Sequence, residues 1–417
     1  MLRQIEGSAA VAETVARCRP EVVCAYPISP QTHIVEGLSD LVRNGELSPC
    51  EYMTVESEFA ALSVCIGASA AGARAYTATA SQGLLYMAEA LYNASGLGLP
   101  IVMTVANRAI GAPINIWNDH SDTMSQRDCG WLQLYAEDNQ EAADLHVQAF
   151  RIAERLSLPV MVCMDGFILT HAFERIDVPE AAAVDAFLPP FEPRQLLDPA
   201  EPMTIGAMVG PEAFAEVKYL AHAKQLQALD VIPEAAAEFE SAFGRPSGGL
   251  VRCYRCDDAG TVVVALGSVL GTIEDTVDEL REEGVSIGAL AIKSFRPFPM
   301  EAVRDALAGA RRVVVLEKAL AVGRGGIVSA DVGMALRGLH LPVHTVVAGL
   351  GGRAITGASL RRLLDAAVAD ELGDLEFLDL DWNRVGAELR RMADSERSGP
   401  HAENILREVG VVAGRPH

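Results

Sequence analysis

The sequence predicts an α/β protein: a doubly wound, mostly parallel sheet covered by helices, followed by a second α/β unit. Three observations predict it. Over the first 170 residues, β-rich apolar runs alternate with stretches of helical periodicity. Between Tyr26 and Asp122 successive apolar runs each end in a short polar cluster. The same alternation restarts near Gly260. In open parallel sheets the binding crevice lies at the strands' carboxyl ends. A chain that loads such ends with Ser, Glu, Gln, Arg, Asp and His is expected to build one site there.

Taken in order, residues 22–26 form the first β-rich run. Pro30 suits the first turn of a helix over 31–43, where a missing N–H costs nothing. A strand at 52–55 leads into a helix over 57–72, whose Ala, Ser and Gly permit close packing on a sheet. Strand 75–79, helix 84–95 and strand 101–106 follow. Strand 132–135, a helix over 140–156 and strand 160–164 complete the set. From 174 to 202 the composition changes: Pro179, Pro189, Pro190, Pro193, Pro199 and Pro202 mark loop or linker. Helical spacing returns over 212–243, on a mixed polar surface that fits a packing helix or an arm toward another subunit.

The second unit has strands at 261–266, 287–292, 312–316 and 343–347, with helices over 272–283 and 300–308. Gly323-Arg324-Gly325-Gly326 and Gly349-Leu350-Gly351-Gly352 fall in loops near its strand ends. Neither is a Walker loop or a clean GxGxxG, so each reads as a tight turn or as a weak phosphate-binding motif. The charged tail from Asp381 is expected to be peripheral. These readings divide the chain at 1–172, 173–250 and 251–417.

Composition narrows the partners. Of 417 residues half are hydrophobic, enough for a large core. Lys+Arg is 34 against Asp+Glu 56, a net charge of −22, which speaks against nucleic acid and favours solubility. The first residues lack the basic-then-apolar pattern of a signal peptide, and no apolar stretch reaches the roughly 20 residues of a membrane span. A cytoplasmic location is expected, with the scattered cysteines reduced. Cys253-Tyr254-Arg255-Cys256 is the one CxxC, half of a zinc site at most, or two cysteines on a strand leading into the second unit. No metal-ligand set is read from the chain.

Several residues in the polar clusters have chemistry suited to a site. Glu58 opens a helix, where a carboxylate serves either capping or proton chemistry. Arg108, at a strand end, suits a bidentate clamp on a small carboxylate, or an internal ion pair. Ser29 sits between prolines on a stiff turn, which suits a positioned hydrogen bond or simple turn capping. Asp119-His120-Ser121-Asp122 looks like a metal or triad fragment, but consecutive residues point in different directions, so a ligand-orienting turn is the better reading.

With these residues in hand a resemblance becomes specific. Tyr26-Pro27-Ile28-Ser29-Pro30 resembles the Tyr-Pro-Ile-Thr-Pro motif of the pyruvate:ferredoxin oxidoreductase family. Glu56-Ser57-Glu58 with residues 66–74, Thr79-Ala80-Ser81-Gln82-Gly83, Asn107-Arg108-Ala109-Ile110 and Asn118-Asp119-His120-Ser121-Asp122 are similar to its next blocks. Ser294-Phe295-Arg296-Pro297-Phe298-Pro299 and Gly349-Leu350-Gly351-Gly352-Arg353 resemble its second domain. The resemblance covers nearly the whole chain, as an α subunit of a 2-oxo acid:acceptor oxidoreductase. It is also similar to phenylglyoxylate dehydrogenase α subunits.

The resemblance implies a pyrimidine-binding thiamine diphosphate domain followed by a transketolase carboxy-terminal-like domain. It implies that Glu58 hydrogen-bonds the aminopyrimidine and favours the imino tautomer, with Gln82 and Tyr26 also contacting the cofactor. Arg108, Ser29 and Asn118 would contact substrate, with Ser29 keeping the hydroxyl of the family's Thr while losing its methyl. Coenzyme A would take the acyl group. No Gly-Asp-Gly diphosphate–magnesium motif and no CxxCxxC cluster motif occurs here. A β subunit is therefore expected to bring the diphosphate site with its Mg2+. Gamma and ferredoxin-like subunits would bring iron–sulfur clusters, in a dimer of heteromers that delivers electrons to ferredoxin or NAD. Pyruvate is the family's default substrate. Ser29, with Trp117 and Trp131 near the site loops, would admit an aromatic acid such as phenylglyoxylate, unless those tryptophans are core. The rival readings are a self-contained thiamine decarboxylase or transketolase, a non-catalytic scaffold, and an electron carrier.

Overall fold

The computed structural model describes residues 2–202, 204–394 and 401–411. Its strands are β1 (Leu2–Glu6), β2 (Val22–Ala25), β3 (Glu51–Thr54), β4 (Ala75–Thr79) and β5 (Val102–Asn107). β6 (Leu132–Tyr135), β7 (Val160–Asp165), β8 (Phe173–Asp177) and β9 (Val251–Tyr254) follow. β10 (Thr261–Ala265), β11 (Ile287–Ile292), β12 (Ser294–Arg296), β13 (Arg312–Glu317), β14 (Val343–Val347) and β15 (Leu375–Phe377) complete them.

A seven-stranded sheet runs β12-β6-β7-β5-β4-β2-β3, and a six-stranded sheet runs β15-β14-β13-β10-β11-β9. Both are parallel apart from one edge strand each, β12 against β6 and β9 against β11. Alternate residues of one strand feed opposite cores. In β7, Met161 and Cys163 join one cluster, while Val160, Val162 and Met164 join the other. Burial on both faces is why β5 and β7 read as continuous apolar runs.

The expected strands and helices appear within a few residues of their predicted ends, with one split. The helix expected over 84–95 starts earlier and is two helices, Ser81–Tyr86 and Ala88–Leu97. At the break, the Met87 N–H is shared between the Gly83 and Leu84 carbonyls, which tightens the turn. The helix over Glu58–Ala70 begins at Ser57, whose hydroxyl accepts the Ala60 N–H at 3.2 Å. Asp138 and Thr356 cap the helices Asn139–Leu156 and Gly357–Val368 in the same way.

Beyond the expected elements the structure adds local helices, among them Gly7–Arg17, Val328–Ala335 and Gly357–Val368, and two non-local pairings. β1 pairs antiparallel with β8, far along the chain, and Ser294–Arg296 leaves the second unit to edge the first sheet. Phe295 is buried in a core that also takes Trp131 and Met161 from the first unit and Val262, Leu290 and Val313 from the second. Lys293, buried beside it, bonds Glu137 and Glu141 at 2.7 Å each. The helix Phe214–Phe243 buries apolar residues of its second half and exposes apolar residues of its first. Its Ala228, Ile232, Ala235 and Phe239 are buried, while Phe214, Tyr219 and Leu220 are exposed.

All eight cysteines are free; Cys253 lies in β9 and Cys256 just beyond it. The loop at 323–326 wraps a side chain of the protein itself. The Glu317 carboxylate accepts the N–H groups of Ile327, Val328 and Ser329 at 2.6, 2.9 and 3.2 Å, taking the amides a phosphate would need. Among the described residues no helix is long and apolar enough to cross a membrane.

Candidate functional site

The carboxyl ends of β2, β3, β4, β5 and β7 lie side by side in the first sheet, and the polar clusters follow them. Asp122 ties two of these ends together, those of β4 and β5. Its carboxylate accepts Ser81 N at 2.9 Å, Arg108 N at 3.0 Å, and both Asn107 Nδ2 and Thr123 N at 2.8 Å. Burial pushes this carboxyl up to about 6, against the pull of those four donors. One of them, Ser81, holds a left-handed φ of 49° that a bound amide helps to fix.

Arg108 reaches across from the β5 end to the turn after β2. Its guanidinium donates to the Ser29 carbonyl at 2.8 Å and, through Nε, to the Asn115 carbonyl at 3.3 Å. Burial lowers its pKa and Asp122 opposes the change. The Ser29 side chain is exposed beside it. Tyr26, also exposed, has its carbonyl held at 3.1 Å by Gln31 Nε2, which donates to Ala78 O at 2.8 Å as well. That single amide ties the turn to the neighbouring strand.

Glu58 is 8% exposed, while Glu56 points to solvent. Ser57 supplies the helix cap, and no donor among the described residues hydrogen-bonds the Glu58 carboxylate. Gly83 lies directly against it: a Cβ there would stand 2.8 Å from Glu58 Oε1 and 2.6 Å from Thr79 Oγ1. Thr79 Oγ1 is itself buried without a partner. Gln82 accepts the Ser81 hydroxyl, and its Nε2 sits 2.7 Å from where a Cβ on Gly111 would stand.

Asn118 lies apart from this group. It is 2% exposed, donating to Asn107 O and Asp165 Oδ1 at 3.2 Å each, and its Oδ1 is buried without a partner. It lines a pocket of about 160 Å³ between the two units, with Ser268, Lys318, Gly352, Arg353 and Ile355. Trp131 is core, its indole N–H donating to Leu91 O at 2.9 Å, whereas Trp117 is 53% exposed and packs on Phe167.

A buried network beneath Asn118 was not read from the sequence. Asp165, at the end of β7, meets Lys318 Nζ at 2.8 Å, His120 Nε2 at 2.6 Å and Ser268 N at 3.1 Å. Burial alone would raise its pKa; Lys318 and His120 overcome that and hold it well below the usual carboxylate range. The Lys318 ammonium is thus the cation paired with this buried carboxylate. The available signal was positional, since Asp165 ends its strand as Asn107 ends β5. The loop at 349–352 closes the site from the second unit: Gly351 N donates to Asp119 Oδ2 at 3.0 Å, and Asn115 Nδ2 donates to Gly351 O at 3.1 Å.

The chain is similar in sequence and in fold to known proteins. A family model described as pyruvate flavodoxin/ferredoxin oxidoreductase, thiamine diphosphate-binding, matches residues 13–237. A second, pyruvate:ferredoxin oxidoreductase core domain II, matches residues 259–360. The chain is 50% identical over 366 residues to pyruvate synthase subunit PorA of Methanosarcina barkeri, covering 87% of this chain and 91% of that one. It is 38% identical over 382 residues to ketoisovalerate oxidoreductase subunit VorA of Pyrococcus abyssi, covering 91% and 96%. In fold it resembles a 2-oxoglutarate:ferredoxin oxidoreductase from Magnetococcus marinus, with a TM-score of 0.68 at 18% identity over 88% of this chain and 65% of that one. A split-gene transketolase, as an inactive β4 tetramer, gives a TM-score of 0.52 at 14% identity over 88% of this chain and 99% of that one.

Proposed function

This chain belongs to the pyruvate:ferredoxin oxidoreductase family, as the α subunit of a CoA-acylating 2-oxo acid oxidoreductase, and from that premise we propose that its substrate is pyruvate. The reaction is oxidative decarboxylation to acetyl-CoA and CO2, with electrons passed to iron–sulfur clusters in partner subunits and on to ferredoxin. The relatives named pyruvate synthase support this substrate over a branched or aromatic acid. Phenylglyoxylate has weaker support, because Trp131 is committed to the core.

The observation that carries the reading is the Glu58 carboxylate, buried, free of any donor among the described residues and pressed against Gly83. Such a group fits the pyrimidine end of thiamine diphosphate, for which it would supply the acceptor. When bound, that cofactor supplies a carbon nucleophile and an electron sink for decarboxylation. Glu58 would hold and share a proton at the ring. Gln82 and Tyr26 flank the same strand ends and would orient it. Arg108 uses two of its five N–H groups on the Asn115 and Ser29 carbonyls, and the others would pair with the substrate carboxylate. The Ser29 hydroxyl and the unpartnered Asn118 Oδ1 would add polar contacts.

On this reading residues 1–172 bind the pyrimidine, 173–250 form a linker and arm, and 251–417 pack as the transketolase-like domain. A β subunit brings the diphosphate site and Mg2+. Gamma and ferredoxin-like subunits bring the clusters, and the whole is a cytoplasmic dimer of heteromers.

The test uses the anaerobically purified complex with coenzyme A and a low-potential dye. Pyruvate should reduce the dye faster than 2-oxoisovalerate or phenylglyoxylate, and only with coenzyme A. Preference for another acid would replace the substrate assignment. Glu58→Ala should abolish turnover in a complex that still assembles; near-normal turnover would overturn the role of Glu58.

A further inference from the structure

We propose that Glu6, His33 and His171 form a site for a divalent transition-metal cation of the zinc class, which clasps the helix after Ser29-Pro30 to the loop that supports Trp117. The three residues come from separate parts of the chain. Glu6 ends β1, His33 lies in the first turn of the helix Thr32–Arg43, and His171 stands between β7 and β8. One ligand atom from each lies within 4.8 Å of the others. His33 Nδ1 meets Glu6 Oε1 at 2.7 Å, and the two imidazole rings face one another at 4.7 Å, tilted by 30°.

A tetrahedral zinc ion with bonds of about 2.0–2.1 Å needs its ligand atoms roughly 3.3 Å apart. The half-exposed His33 side chain has room to rotate toward that spacing. His171 is held more firmly. His171 Nδ1 is 2.7 Å from the Thr170 hydroxyl, which accepts the Phe167 N–H at 2.8 Å. The Thr170 carbonyl accepts the Ser8 hydroxyl at 2.8 Å. A hydroxyl fixed in this way orients the imidazole through one nitrogen and leaves Nε2 to ligate, the arrangement that metal-binding histidines require.

Donor chemistry selects the cation. Two imidazoles and a carboxylate suit zinc and its neighbours, whereas Mg2+ and Ca2+ prefer oxygen sets. Three protein ligands leave a fourth position for water. The location suggests a clasp: Phe167, whose ring is 4.8 Å from that of His171, packs at 4.9 Å on Trp117, and His33 follows the turn that holds Arg108.

The experiment is done on the assembled complex, equilibrated with Zn2+ alone and desalted. Elemental mass spectrometry should find one more zinc per copy of this chain in the wild type than in the His33→Ala/His171→Ala variant, with iron and magnesium unchanged. Zinc-edge absorption of the wild type should show two imidazoles, oxygen and no sulfur. Chelation should lower the melting temperature of the wild type and leave that of the variant unmoved. Equal zinc in both proteins, or a sulfur-ligated zinc pointing to Cys253 and Cys256, overturns the proposal. If the variant fails to assemble, the wild-type edge spectrum decides alone: two imidazoles sustain the site, and none overturns it.

Discussion

The Asp122 carboxylate accepts the backbone N–H of Arg108 at 3.0 Å, so the residue that presents the guanidinium is fixed through its main chain by a buried acid. The same carboxylate holds Ser81, next to Gln82, and Asn107, whose carbonyl accepts from Asn118. Asp122 is therefore a positioning residue on which two strand ends converge.

Arg108 is expected to act on the substrate carboxylate through a charge-assisted hydrogen bond, worth about 1.5–3 kcal/mol. Arg108→Leu should then lower kcat/KM for the 2-oxo acid by roughly 10–100-fold. A rise in KM alone places the contact in the ground state, and a fall in kcat places it in the transition state. Unchanged steady-state kinetics would remove Arg108 from the site.

Burial pushes the folded Asp122 carboxyl up to about 6, from an ordinary value near 3.8. A group with a raised folded pKa contributes stability that is present below the lower value and lost as pH rises through the upper one. The wild type should lose about 3 kcal/mol of stability from this group in all as pH rises from about 3 to about 8. Asp122→Asn should remove that slope and be less stable at every pH, because one amide oxygen cannot accept four donors. Denaturant melts at several pH values test this, and parallel curves for the two proteins would refute it.

Gly83→Ala should act on Glu58. The new methyl would stand 2.8 Å from Glu58 Oε1, so the carboxylate must move while the helix itself tolerates alanine well. The expected outcome is a fall of roughly tenfold or more in kcat in an assembled complex, in keeping with the sensitivity of catalysis to small misplacement. In a Glu58→Ala background the melting penalty of Gly83→Ala should shrink, which a double-mutant cycle measures. Additive effects would separate the two residues.

Lys318 and Asp165 form a buried pair across the two units, at 2.8 Å. Lys318→Met leaves that carboxylate buried without its ammonium and should cost about 3–5 kcal/mol. Asp165 has a depressed folded pKa, so its stabilising contribution is present above the unfolded value near 3.8 and lost only as pH falls through the depressed one. In Lys318→Met that loss should begin at higher pH, and adding Asp165→Asn should restore part of the stability. Thermal melts across pH 3–7 check both points.

The sequence by itself determined the parallel α/β architecture. Continuous apolar runs in β5 and β7 are local patterns that need no knowledge of what packs on them. It also determined which residues of the first four clusters gather at the strand ends, because those clusters follow their strands directly and parallel strands place all those ends on one side. Tertiary structure decided what those residues do to one another. That Ser57 caps the helix and leaves the Glu58 carboxylate unclaimed depends on side-chain geometry, since either residue could have served as the cap. Asp122, Asp165 and Lys318 were beyond the reach of spacing because their partners are distant in sequence and their importance comes from burial. The pairing of β1 with β8, the passage of Ser294–Arg296 into the first sheet and the meeting of Glu6, His33 and His171 share that cause. Each is a contact between distant segments, and such contacts form only when packing of the whole chain offsets the entropy of closing a long loop.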